Sequence, residues 1–151
     1  MAALLQQWWA SLNPDVVFKR TPQSGGWSHA PEFKVAGDLA CNDARFPFCV
    51  EVKRREGWSW REFMEGRRSP VWTWWRQACA AAVASGLEPM MWMRRNHGDW
   101  IVVLTAALPL KCLGVEATRF WLPEGPAVPL ESRPACVYAP KLLLTQPEQW
   151  V

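Results

Sequence analysis

Along residues 46–53 apolar and polar positions alternate. Phe48, Val50 and Val52 fall on one side of an extended chain, and Cys49, Glu51 and Lys53 on the other. This predicts a strand with one apolar face and, on the other, a carboxylate and an ammonium two residues apart. Upstream, Leu4, Leu5, Trp8, Trp9 and Leu12 stand at helical spacing, so residues 2–12 read as a short helix ended by Asn13-Pro14. Residues 16–20 and 33–39 read as two further strands, and Asn42-Asp43-Ala44-Arg45 as the polar turn leading into 46–53. The stretch 21–31, rich in Pro, Ser and Gly, is a loop.

Ser59-Trp60-Arg61-Glu62 fits a capping box and predicts a short helix ending near Gly66. A stronger helix follows, with Ser69 as N-cap, Pro70 in its first turn and Gly86 as its stop. Within it Ala78, Ala80, Ala81, Ala82 and Ala84 allow close approach to a sheet. Residues 90–95 and 100–104 predict a hairpin around Asn96-His97-Gly98-Asp99. Beyond residue 106 both periodicities fade, and seven of the thirteen prolines lie there. Helix, strands, helix and further strands in this order predict a single α/β (α+β) domain, with a core over 1–105 and a proline-rich extension over 106–151 packed on it.

Composition narrows the chemistry. Half of the 151 residues are apolar and only 21% are charged, which suits a packed core rather than a disordered chain. The formal charge of +3 permits nucleic-acid binding without arguing for it. Five cysteines lack any Cys-x-x-Cys pair, which points to reduced thiols and away from structural zinc. The first twelve residues lack the basic start of a signal peptide, and the longest apolar run, 101–110, is too short to cross a bilayer. The expectation is an intracellular, cytoplasmic protein with no membrane partner.

If Asp38 comes from a strand neighbouring Glu51 and Lys53, two carboxylates and one amine converge. Such a set can bind a hard divalent cation and position a water for attack on a phosphate. The same residues have plainer readings: Glu51 and Lys53 as an ion pair on a half-exposed sheet, and Asp38 as a turn residue after Gly37. Glu32-Phe33-Lys34 is a second Glu-x-Lys, but without the clean strand around it. Asp43, in the turn, is a weaker alternative ligand. His29 and His97 fall in loops and carry no catalytic role. Arg54, Arg55, Arg61, Arg67 and Arg68, with Arg94 and Arg95 further on, put positive charge near the motif; Glu56, Glu62 and Glu65 dilute it. Most of the twelve tryptophans read as core or interface, with Trp58 and Trp60 as those placed to touch DNA. Ser24-Gly25-Gly26 lacks the Lys-Ser/Thr ending of a P-loop, so no nucleotide cofactor is expected.

The run Arg20-x-x-x-Ser24-Gly25-Gly26, then Gly37-Asp38, then Phe46-Pro47-Phe48-x-x-Glu51-x-Lys53, followed by Trp74-Trp75-x-Gln77-Ala78, resembles the PD-(D/E)XK nuclease superfamily. Within it the chain is similar to small phage nucleases of the Holliday-junction-resolvase-like kind. The resemblance covers residues 16–104. It implies a restriction-endonuclease-like core with a central mixed sheet flanked by helices. It further implies a Mg²⁺ site, with Mn²⁺ able to substitute, held by Asp38, Glu51 and the backbone carbonyl of Val52. Lys53 would act on the attacking water, and Gln77 would support Lys53 or that water. Arg20, Ser24, Gly25, Arg54, Arg55, Trp58, Trp60 and Arg61 would bind DNA. Gly37 stands where the motif has proline, and the first helix offers only Gln6 and Gln7 where some resolvases contribute an acid, so a second metal is not carried over.

The expected function is a metal-dependent DNA endonuclease that hydrolyses phosphodiester bonds of branched DNA as a homodimer, in the bacterial host cytoplasm if phage-encoded. A restriction-type or end-processing nuclease on the same core is one competing reading. A non-catalytic DNA-binding or protein-interaction module is the other.

Overall fold

A computed structural model describes residues 1–21, 33–59, 62, 69–105, 118–120 and 135–138. Helix α1 (Ala2–Trp9) buries Leu5, Trp8 and Trp9, the i, i+3, i+4 set foreseen from spacing. It stops three residues earlier than expected, because the Leu12 and Asn13 amides both fold back onto the Trp9 carbonyl. Trp9 then meets Phe46 edge-on at 5.2 Å, and Phe46 meets Phe18 and Phe48 in the same way.

Three short strands, β1 (Phe18–Arg20), β2 (Lys34–Ala36) and β3 (Leu39–Cys41), form an antiparallel sheet in the order β1-β3-β2. The single strand expected over 33–39 is in fact broken at Gly37-Asp38. Ala36 pairs with Leu39, so these two residues are the whole loop of a hairpin. Gly37 has φ 70° while Asp38 does not enter the positive-φ region, the pattern of a type II′ turn.

β4 (Phe48–Arg54) begins a second, mixed sheet, in the order β4-β5-β6-β8-β7. It pairs in parallel with β5 (Glu88–Arg94) through the crossover helix α2 (Pro70–Ser85). The caps of α2 are those read from the sequence: Ser69 Oγ accepts from the Val71 amide, and Gly86 adopts φ 66°. Leu87 N–H reaches the Ala82 carbonyl and Gly86 N–H that of Val83, a Schellman closure that leads within two residues into β5. Of the alanines, Ala78 and Ala82 are buried against the sheet, whereas Ala80 and Ala84 face outward.

β5 pairs antiparallel with β6 (Ile101–Thr105), as the hairpin expectation requires. Two strands were not foreseen: β7 (Thr118–Phe120) and β8 (Ala135–Tyr138), which extend the sheet beyond β6. The helix expected over 59–66 and the Ser24-Gly25-Gly26 loop fall outside the described residues, Ser59 and Glu62 apart. Among the described residues, no helix is long and apolar enough to cross a membrane.

The strand alternation sorts the core into layers. Phe48, Val50, Met90, Trp92, Val102 and Leu104 pack with α1 and the small sheet. Met91, Met93 and Val103 pack with Val71, Trp75, Ala78 and Cys79 of α2. Cys41, Cys49 and Cys79 are buried and stand outside any disulfide.

Asp43, weighed above as an alternative ligand, is taken up by the fold. Its carboxylate accepts from Trp9 Nε1 at 3.1 Å, Asn13 Nδ2 at 3.0 Å and Arg45 NH2 at 2.7 Å, tying α1 to the turn before β4. The Arg45 hydrogen bonds above all hold its pKa far below the usual carboxylate range. The resulting stabilisation is full above the ordinary carboxylate pKa of about 4 and is lost as pH falls below it toward the lowered folded-state value. Asp43→Ala is therefore expected to destabilise the fold by about 3 kcal/mol at neutral pH. Urea titrations at several pH values would show the gap between variant and wild type narrowing toward acid. A gap independent of pH would contradict this assignment.

Candidate active site

The outer edge of β4 is where the two sheets meet, and Gly37-Asp38 is what joins them. Gly37 bridges in parallel to Val50, and the Asp38 amide donates to the Val50 carbonyl at 2.7 Å. Two residues on, the Val52 amide donates to Asp38 Oδ2, also at 2.7 Å. Thr21, which sequence reading passed over, clamps the turn from behind: its amide donates to the Asp38 carbonyl at 3.1 Å and its hydroxyl to the Gly37 carbonyl at 2.9 Å.

This contact explains the missing proline. A Cβ on Gly37 would lie 2.4 Å from the Val50 carbonyl oxygen, and the position needs φ 70°. Proline, fixed near −65°, cannot adopt it. Asp38 is thus both a turn residue and a side chain aimed at the strand carrying the Glu-x-Lys, so the two readings of it coincide.

On β4 itself, Lys53 Nζ lies 2.5 Å from Glu51 Oε1. Both side chains are mostly covered, 20% and 16% exposed. Glu51 and Lys53 project to the side of the sheet that carries α2, as their partners Met91 and Met93 do. Cys49 lies beneath them, and the position of a Gly37 Cβ would fall 3.2 Å from its sulfur. Its thiol pKa is raised, by burial first and also by the negative charges of Glu51 and Asp38. Burial likewise pushes the Cys41 thiol up to about 11, leaving neither as a ready nucleophile.

Within one strand residue the N–H and C=O point to the same edge. Because the Val52 N–H reaches Asp38, the Val52 carbonyl also faces that side. Asp38 thus meets the Val52 backbone, between Glu51 and Lys53 in the strand, and shares a cavity lining with Val52 and Lys53. Gln77 does not join them: it lies exposed on α2, and Lys53 donates to Glu51 instead.

Beside Asp38 opens a cavity of about 440 Å³ lined by Arg20, Lys53, Arg54, Arg55, Arg94 and Trp100, among others. Arg20, Arg54 and Arg55 thus border Asp38 and Lys53. Trp58 does not suit a DNA-binding role. It is 4% exposed, packs edge-on to Trp74 at 6.4 Å and gives its ring N–H to the Arg55 carbonyl at 2.8 Å. Its ring has no free face for a base; what hid this from sequence reading is that the strand end turns Trp58 under α2. Ser24, Gly25, Trp60, Arg61 and Glu32 lie outside the described residues.

The donor set fits a hard cation. Asp38 spends one oxygen on the Val52 amide and Glu51 one on Lys53, leaving each a second, and the Val52 carbonyl faces the Asp38 edge of the strand. Among the described residues no group of three or more His, Cys, Asp or Glu side chains converges, so an all-protein cage is not what this site offers. Mg²⁺, which keeps several waters and takes one or two carboxylates, needs none.

No curated protein and no solved structure matches the chain. A family model described as "Phage putative PDDEXK endonuclease" matches residues 1–112, spanning α1 through β6 and every residue of the site. The superfamily expected from Asp38, Glu51 and Lys53, and its α+β core, are those of the matched model. The chain belongs to this phage PDDEXK endonuclease family, nucleases of the PD-(D/E)XK type that act on DNA.

Proposed function

We propose that the protein is a Mg²⁺-dependent endodeoxyribonuclease that hydrolyses phosphodiester bonds of branched DNA, working as a homodimer. The observation that carries the reading is the docking of the Asp38 carboxylate on the Val52 amide, beside the Glu51–Lys53 pair. Asp38, Glu51 and the Val52 carbonyl would hold the ion. When bound, it acidifies a water and offsets charge on the phosphate oxygens. Lys53, as an ammonium, orients the attacking water and faces the charge that builds on the phosphate as one P–O bond forms and another breaks. Glu51, at 2.5 Å, keeps that ammonium in place. Arg20, Arg54 and Arg55 draw the phosphate backbone in, a contribution that weakens with salt. The homodimer rests on symmetry: cutting two strands across a branch calls for two sites.

Cleavage of a labelled four-way junction, a nicked duplex and a linear duplex with Mg²⁺, Mn²⁺ or chelator tests this. The junction is expected to be cut with either metal and left whole in chelator. Equal cutting of linear duplex would favour a restriction-type enzyme, and cleavage that survives chelation would overturn the metal mechanism. No cleavage of any substrate would favour a DNA-binding module.

A further inference from the structure

The cavity beside Asp38 holds more positive charge than hydrolysis uses. Arg20 lines it from β1, Arg54 from β4, Arg55 just after it and Arg94 from the end of β5, while Lys53 borders it with its ammonium turned to Glu51 on the α2 side; among the described residues Asp38 is the one carboxylate on the lining. Lys53 is already engaged with Glu51, and Arg54 Nε donates to the neutral amide oxygen of Asn96 at 2.9 Å.

Arg94 is in a different position. Its guanidinium lies 4.5 Å over the ring of Trp100, which itself stands edge-on to the fully buried Trp92 at 6.0 Å. Its Nε is buried with no hydrogen-bond partner among the described residues. The ion pairs among those residues join Arg45 to Asp43 and Lys53 to Glu51, leaving Arg94 without a carboxylate. A desolvated donor on a cation costs free energy until an acceptor completes it, and a guanidinium completes best with a phosphate or carboxylate. The aromatic stack beneath it fixes the fork in advance.

We infer that this cavity is a second phosphate subsite, taking the DNA phosphate next to the scissile one on the same strand, with Arg94 as its anchor and Arg20 as its partner. The inference rests on the nuclease reading for the neighbouring site and adds to it a positioning residue that no nuclease motif marks. The scale fits. The cavity, at about 440 Å³, has the size of a small-ligand site. Phosphates of one strand follow each other every ~3.4 Å along the duplex axis, so the neighbour of a phosphate held at Asp38, which lines the same cavity, falls within reach.

The test is binding without cleavage. Fluorescence anisotropy in chelator follows a labelled four-way junction in which one phosphate at a time is made neutral as methylphosphonate. Wild type should lose about tenfold in affinity at the subsite phosphate, as for a hydrogen bond to a charged group. Arg94→Gln should bind the unmodified junction about tenfold more weakly, with a salt slope smaller by about 1, and lose nothing further at that phosphate. Arg20→Gln, at an exposed position, should couple to the same phosphate, and Arg94→Lys should restore part of the loss. Additive losses at every phosphate, or coupling of the two arginines to different ones, would overturn the subsite. If Arg94→Gln no longer melts cooperatively, the Arg20→Gln scan decides alone. The nuclease reading is judged separately, by cleavage in wild type and Lys53→Ala. An inert protein with intact coupling would sink that reading and spare the subsite; an active one with additive losses would do the reverse.

Discussion

Asp38→Asn is expected to lower cleavage by about 10³-fold or more while leaving the fold intact. The substitution keeps size and shape, and the amide oxygen can still accept the Val52 N–H that Asp38 Oδ2 accepts at 2.7 Å. What disappears is the negative charge and the second carboxylate oxygen, and with them one ligand to the ion. Metal-derived stabilisation of the transition state is worth several kcal/mol, and every 1.36 kcal/mol is tenfold in rate, which gives the size of the loss. Melting temperature and junction binding in chelator should stay close to wild type, so the change sits in the chemical step. Single-turnover cleavage across a Mg²⁺ titration is the decisive measurement. A variant that cuts within tenfold of wild type at saturating Mg²⁺ would remove Asp38 from the site.

Gly37→Ala should cost stability and activity together. The added methyl group would fall 2.4 Å from the Val50 carbonyl oxygen, a backbone atom that no rotamer change can move aside. It would also ask alanine to hold φ 70°. Strain of this kind is worth about 1–3 kcal/mol, and the backbone overlap adds to it, so a loss of about 3 kcal/mol and a fall of roughly 6–12 °C in melting temperature are expected. Relief of the overlap requires the β2–β3 turn to lift off β4. That breaks the Asp38 amide bond to Val50 and draws the carboxylate away from Val52. The signature is a stability loss joined to a cleavage loss that extra Mg²⁺ does not restore, read by calorimetry and by the same single-turnover assay. A stable variant with full activity would show that the turn does not position Asp38.

The features legible in the sequence were local ones. Ser69, Pro70 and Gly86 bracket α2 because a cap acts within a few residues of itself. The alternation of residues 48–53 placed Glu51 and Lys53 side by side on one face of β4, since period 2 is a property of the extended chain alone. The hairpin of β5 and β6 followed in the same way. The dipeptide Gly37-Asp38 is itself a readable hairpin signal, although the apolar residues on either side of it also read as one continuous strand over 33–39.

What the chain carries within itself is therefore the helix with its two caps, the strand with its acid and amine, and a glycine-aspartate pair able to turn. Tertiary structure alone decided that this turn lands on the free edge of β4, that Asp43 is consumed by Trp9, Asn13 and Arg45, and that Trp58 goes under α2 rather than outward. It also decided that residues 118–120 and 135–138 join the sheet. Each of these is a contact between segments far apart in sequence. Such a contact is selected by which surfaces bury one another and leaves no period or spacing in the chain to announce it.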